Sequence, residues 1–155
     1  MSRSEALCIR RISSPEDIKD CLRFVLRVFR ETAGREFDDE GRASFSAFIY
    51  SGTIEKSIED GSGRLCAAYE GEELAGVSLI RENRHISLLF VRPDMQKKGI
   101  GSALLQKMTE GSEEYLTVNA APTGYAFYKK KGFYVREKEK TLDGITFTLM
   151  EKKIH

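Results

Sequence analysis

Leu88-Leu89-Phe90-Val91-Arg92-Pro93-Asp94-Met95-Gln96-Lys97-Lys98-Gly99-Ile100-Gly101-Ser102 is the stretch whose reading decides the fold. Its first residues close a short apolar run, His85–Val91, bounded by turn residues, which reads as a strand. Pro93 stops that strand, because proline has no N–H for a ladder interior. A polar loop, 94–98, leads to two glycines. From there Ile100, Ala103, Leu104, Leu105 and Met108 recur at helical spacing as far as Gly111. A strand therefore feeds a loop that opens a helix. The first turn of a helix exposes unpaired N–H groups and the positive end of its dipole, which suits a phosphate. Gly99 and Gly101 allow close approach to the backbone, and Lys97 and Lys98 add positive charge. The Gly-Lys-Ser/Thr ending of a Walker A loop is missing, and the spacing fails the dinucleotide-binding fingerprint. Two glycines before a helix also fit a plain tight turn.

Working outward, Leu7–Ile12 reads as a strand. Ser14, Pro15, Glu16 and Asp17 form a helix start, with a cap, a proline in the first turn and acids at the positive end. Ile18, Cys21, Leu22, Val25, Leu26 and Phe29 follow on one helical face. A second helical stretch begins at Asp38-Asp39-Glu40, and Thr53 can cap a shorter one. Beyond Gly61-Ser62-Gly63 the period changes. Arg64–Tyr69, Leu74–Ile80 and His85–Val91 are strands joined by short polar turns, an antiparallel meander. Tyr115–Val118 is a strand, Thr123–Lys131 a helix ended by Gly132, and Phe133–Val135 and Ile145–Met150 the last strands. The expectation is one α+β (mixed α/β) domain over residues 1–155, with a mostly antiparallel sheet of about seven strands and about four helices.

Composition narrows the function. With 25 Lys+Arg against 24 Asp+Glu, the net charge is +1, which disfavours a dedicated nucleic-acid or membrane-surface binder. No apolar run reaches the roughly 20 residues of a membrane span, and Met1–Cys8 lacks the apolar core of a secretion signal. Cys8, Cys21 and Cys66 fit neither a disulfide framework nor a metal site. The reading is a cytoplasmic protein with reduced thiols and no metal.

Gln96-Lys97-Lys98-Gly99-Ile100-Gly101 resembles the Q/R-x-x-G-x-G/A motif of the GNAT N-acetyltransferase superfamily. Downstream, Val118-Asn119-Ala120-Ala121-Pro122 and Phe127-Tyr128-Lys129-Lys130-Lys131-Gly132-Phe133 resemble its second block, in the right order and separation. The resemblance implies acetyl-coenzyme A as cosubstrate, its pyrophosphate held by amides of Lys97, Lys98, Gly99, Ile100, Gly101 and Ser102 beside Gln96. It also implies a GNAT-like fold whose fourth and fifth strands splay. The pantetheine arm then pairs along the edge at Leu89, Phe90 and Val91. An exposed strand edge has free partners for its two amides.

Acetyl transfer to an amine needs a proton taken from nitrogen, an oxyanion stabilised and a thiolate protonated. Tyr128 aligns with the family's general acid. The oxyanion donor falls on a backbone N–H of Phe90 or Val91. His85 falls where the histone-acetylating branch places its base, and its ordinary pKa near 6.5 suits proton abstraction. Strict alternation puts His85, Ser87, Leu89 and Val91 on one side of the strand and Ile86, Leu88 and Phe90 on the other. Asn119 ends the fifth strand, where its amide can hold the pantetheine or the substrate; many relatives instead carry the Asn two positions later, where this chain has Ala121. The acceptor region of such a fold, between the first two helices and the sheet, would hold Phe29, Phe37, Phe45, Phe48, Tyr50 and Tyr69. The expected acceptor is a small molecule or an exposed N-terminal amine, with homodimer formation left open. The alternative is a non-catalytic acyl-coenzyme A sensor or scaffold of the same fold.

Overall fold

A computed structural model describes residues 7–154; the reading made on residues 1–6 lies outside the described residues. The first half builds β1 (Leu7–Ile12), α1 (Pro15–Glu31), α2 (Asp39–Tyr50), α3 (Thr53–Glu59), β2 (Gly63–Glu70), β3 (Glu73–Arg81) and β4 (His85–Val91). The second half builds α4 (Ile100–Glu110), β5 (Tyr115–Ala120), α5 (Tyr125–Lys130), β6 (Tyr134–Leu142) and β7 (Ile145–Lys153). The strands form one sheet in the order β1-β2-β3-β4-β5-β7-β6. All neighbours are antiparallel except β4 and β5, which are parallel because α4 carries the chain back across the sheet.

Helices cover both faces. The start of α1 follows its sequence signals: Ser14 Oγ accepts the Asp17 N–H at 3.2 Å, and Pro15 opens the first turn. Its buried stripe also takes in Phe24 and Val28 and packs with Ile49, Ile54, Leu65, Val77, Leu79 and Leu88. On the other face α4 settles on β3 and β4. Gly76 makes that contact possible, since a Cβ there would lie 2.9 Å from Leu104 Cδ1 and 3.0 Å from Ile100 Cγ2.

Strict alternation along β4 does not hold. Leu79 pairs with Leu88 and Ile80 with Ile86, so Ser87 is an extra residue, a β-bulge. The bulge reverses the faces below it. Ile86 packs with Leu105, Met108 and Tyr128 on the α4–α5 side, whereas Leu88 and Phe90 pack toward α1. His85 therefore shares the α1–α3 face with Leu88 and Phe90, not with Leu89 and Val91.

Two further elements differ from the sequence reading. The loop 94–98 is wound as a 3₁₀ turn, Pro93–Lys98, with Met95 buried in the core. Strand β6 runs on from Val135 to Leu142, although every residue in it is exposed. It is the sheet's outer edge with neither face covered, so it carries alternating charges in place of a hydrophobic period. The β6–β7 turn is anchored from above. Ser44 Oγ donates to the Asp143 carbonyl at 2.7 Å, and Gly41 sits so close that a Cβ would clash with the Gly144 carbonyl oxygen.

Candidate active site

The parallel strands β4 and β5 stay together for two pairs, His85 with Thr117 and Ile86 with Val118, and then part. The wedge that opens exposes backbone on both sides. The Arg92 N–H donates to the Ala75 carbonyl at 2.9 Å, so the even positions above the bulge turn toward β3. Leu89 and Val91 then turn their N–H and C=O groups into the wedge. Phe90 turns its own into the ladder with Val77, so its amide is not free for a ligand or an oxyanion. Opposite them, the Thr117 N–H donates to the Arg84 carbonyl at 2.8 Å, which sets the Asn119 backbone facing the wedge as well. The Asn119 side chain is exposed. Ala121 turns inward against the aromatic cluster, and its carbonyl starts α5 by accepting from Gly124 and Tyr125.

The mouth of the wedge is the start of α4. The first bond of the helix runs from the Ala103 N–H to the Gly99 carbonyl at 3.0 Å, leaving the amides of Ile100, Gly101 and Ser102 without helical partners. Gly99 has φ +79°, a left-handed conformation, and a Cβ there would meet nothing within 4 Å. Gly101 has a packing reason: a Cβ would lie 3.4 Å from the Phe127 ring, so the glycine lets α5 close over the helix start. Gln96 Nε2 donates to the Val91 carbonyl at 3.3 Å and ties the turn to the strand. Lys98 leans toward Glu70, 3.6 Å away; the Lys97 side chain lies outside what is described.

Tyr128 and His85 flank the closed end of the wedge from opposite faces. The Tyr128 ring is buried edge-on against Phe127 and Phe133, at centroid distances of 5.2 and 5.3 Å. Ile86 and Val118, the last paired residues, belong to the same cluster. The Tyr128 hydroxyl makes no hydrogen bond to a described residue, and burial raises its pKa well above the ordinary value. On the far face His85 Nδ1 lies 2.8 Å from Thr117 Oγ1. Burial, and then the nearby Arg81, lower the His85 pKa, so the ring is neutral at pH 7. Local sequence gives no sign of Thr117, because its contact depends on the parallel register of a distant strand.

Two cavities border β4. One, of ≈660 Å³, lies beyond its C-terminal end among Glu31, Glu73 and Arg92, and none of the candidate catalytic side chains lines it. Arg92 there is held by Glu73 at 3.0 Å and Asp94 at 2.8 Å. The other, of ≈350 Å³, is lined by His85. Among the described residues no group of three or more His, Cys, Asp or Glu is placed to hold a metal, and no helix is long and apolar enough to cross a membrane.

A split parallel pair with free amides along its edge and at its mouth suits an extended, amide-bearing, anionic chain, and Tyr128 and His85 stand at its closed end. Comparison with known proteins gives the same class. Residues 33–154 match the model of the acetyltransferase (GNAT) domain. An uncharacterized N-acetyltransferase of Escherichia coli K12, YafP, is 27% identical over 135 residues, covering 86% of this chain and 87% of its own. Among solved structures, the PaiA N-acetyltransferase of Thermoplasma acidophilum in complex with coenzyme A superposes with a TM-score of 0.77 at 21% identity, covering 96% of this chain and 99% of its own. The apo form of YjaB from Escherichia coli gives 0.70 at 23% identity, covering 96% and 97%. The chain belongs to the GNAT acetyltransferase family and is an acyltransferase of that fold.

Proposed function

We propose that this chain moves an acetyl group from acetyl-coenzyme A to a small primary amine in the cytoplasm, by direct transfer while both are bound. The observation that carries this is the placing of Tyr128 and His85 on opposite faces of the closed end of the β4–β5 wedge. A donor lying in the wedge has an acid beside its sulfur and a base beside its carbonyl. The complex of PaiA with coenzyme A supports this choice of donor.

The residues act as follows. Amides of Ile100, Gly101 and Ser102 receive the pyrophosphate at the helix start. Backbone groups of Leu89, Val91 and Asn119 pair with the pantetheine amides. The Leu89 N–H, the wedge-facing amide nearest the closed end, meets the developing oxyanion. With His85 Nδ1–H donating to Thr117 Oγ1, Nε2 keeps its lone pair and takes the proton from the amine. The new C–N bond forms as C–S breaks, and the Tyr128 hydroxyl protonates the departing sulfur. The balance is one amine and one thioester giving one amide and one thiol. Cysteine chemistry is disfavoured. Cys21 and Cys66 are buried, burial pushes the Cys21 thiol up to about 12 and that of Cys66 upward, and Cys8 lies on β1 at the sheet's far edge. Three unpaired thiols also accord with a reducing compartment.

The test is a screen of amine classes with acetyl-coenzyme A, read by free thiol release. Product with a small amine, inhibition by coenzyme A but not by ATP, and loss of turnover in Tyr128→Phe are expected. Tight coenzyme A binding with no thiol release from any amine would favour a sensor and overturn the reading.

A further inference from the structure

The region between α1, α2 and the sheet is not an open acceptor site. Phe29 and Phe45 stack there with ring centroids 4.0 Å apart, and Phe37 and Phe90 close the cluster. The cavity of ≈350 Å³ that His85 lines lies instead between α3 and the β3–β4 hairpin. Its lining residues are all polar or charged. Ser57, Ser62 and Arg81 form the wall beside His85, and Lys56, Asp60 and Glu82 stand exposed at the rim.

Arg81 is the informative residue. It stands directly across the hairpin from His85 in the strand register. Its Nε donates to Ser87 Oγ at 2.7 Å, and its guanidinium lies 6.0 Å from the Phe48 ring centroid. The bulge that turns His85 to this face also supplies the Ser87 hydroxyl that fixes Arg81. Among the described residues no carboxylate pairs with Arg81, and Asp60 is occupied with the Ser62 N–H at 2.8 Å. A half-buried, pre-oriented guanidinium without an anion is built for a planar carboxylate.

We propose that this cavity is the acceptor pocket and that it takes a small amino-carboxylate, with the carboxylate on Arg81 and the amine at His85 Nε2. This rests on the reading of His85 as the base. Directly opposite residues of antiparallel strands have Cβ atoms about 4.5–5.5 Å apart, so both ends of the ligand belong to one short molecule. Lys56 adds a second cation, while Glu82 and Asp60 at the rim disfavour a polyanion.

The experiment compares free amino acids with their carboxamides as acceptors, at saturating acetyl-coenzyme A, with wild-type protein, Arg81→Gln and Arg81→Lys. For wild type, kcat/KM for the acid should exceed that for the carboxamide by about tenfold or more, about 1.4 kcal/mol. The carboxamide's amine is the less basic, so that bias runs against the expected result. The preference should fall to unity or below in Arg81→Gln and survive in part in Arg81→Lys. A second readout needs neither a variant nor turnover: the ring proton resonances of His85, titrated with each ligand in the coenzyme A-bound protein. The acid should shift them at concentrations where the carboxamide does not. Equal response to both ligands, or a preference that persists in Arg81→Gln, would overturn the pocket assignment. Discrimination by His85 without thiol release would leave the pocket standing and sink the transfer reading instead.

Discussion

Replacing Tyr128 by Phe separates a proton donor from a packing residue, because the structure gives the two roles opposite signatures. The ring contacts with Phe127 and Phe133 remain in the variant. The hydroxyl has no hydrogen-bond partner among the described residues, so none is lost when it goes. A net hydrogen bond is worth about 0.5–1.5 kcal/mol, and with none to lose the stability change should stay under about 1 kcal/mol in either direction. For a domain of this size that is less than about 4 °C in Tm. If the hydroxyl protonates the leaving thiolate, turnover should fall about 10²–10⁴-fold, or about 3–5 kcal/mol in the barrier. Coenzyme A affinity should not change. The assays are thermal unfolding, calorimetric titration with coenzyme A and thiol release under saturating substrates. Turnover within about threefold of wild type would return Tyr128 to a packing role.

Three other perturbations follow from named contacts. His85 has a pKa lowered by burial and by Arg81, so the pH profile of kcat/KM should carry a limb that rises through a value below 6.5, apart from the titration of the amine itself, and His85→Ala should abolish that limb. Because the neutral ring is favoured on folding, the same group adds stability above pH 6.5 that is lost as pH falls through its folded pKa; acid titration of Tm should show this loss shrinking in His85→Ala. Gly99→Ala meets no neighbour but must hold φ +79°, at about 1–2 kcal/mol, and should weaken coenzyme A binding by calorimetry as the helix start relaxes. Gly41→Ala drives a Cβ against the Gly144 backbone and should cost about 1–3 kcal/mol by denaturant unfolding, with the β6–β7 turn displaced from α2.

Much of the architecture is legible in local chemistry. The cap at Ser14, the proline stops and the glycines before α4 act within a few residues, so the sequence carries them openly. The strand–loop–helix of residues 88–102 belongs to this kind, whereas Tyr128 stands out in the sequence only through the family resemblance of residues 127–133. What local pattern does not carry is the bulge at Ser87. A single inserted residue is invisible in an apolar run such as Ile86–Val91, yet it decides which face His85 and Phe90 occupy. Strand β6 is obscure for a different reason. An edge with neither face buried needs no hydrophobic period, and Arg136 to Lys140 read equally well as a solvated loop. The pairing of His85 with Thr117 arises from the long connection through α4, and Arg81 lines the cavity because α3 packs beside the β3–β4 hairpin. Phe29, Phe37 and Phe45 announce an aromatic cluster in the sequence, but only packing reveals that they fill their space and leave the cavity beneath α3.

The central claim is that the wedge between β4 and β5 receives an extended acyl donor along the edge of β4. Amide hydrogen exchange of the intact protein, residue by residue, with and without acetyl-coenzyme A, tests it directly. Leu89, Val91 and Asn119 should gain protection on addition of the donor, together with Ile100, Gly101 and Ser102 at the helix start. Phe90, already bonded into the ladder with β3, should not change. Protection gained at Phe90 instead of its neighbours, or confined to residues outside the wedge, would contradict the account.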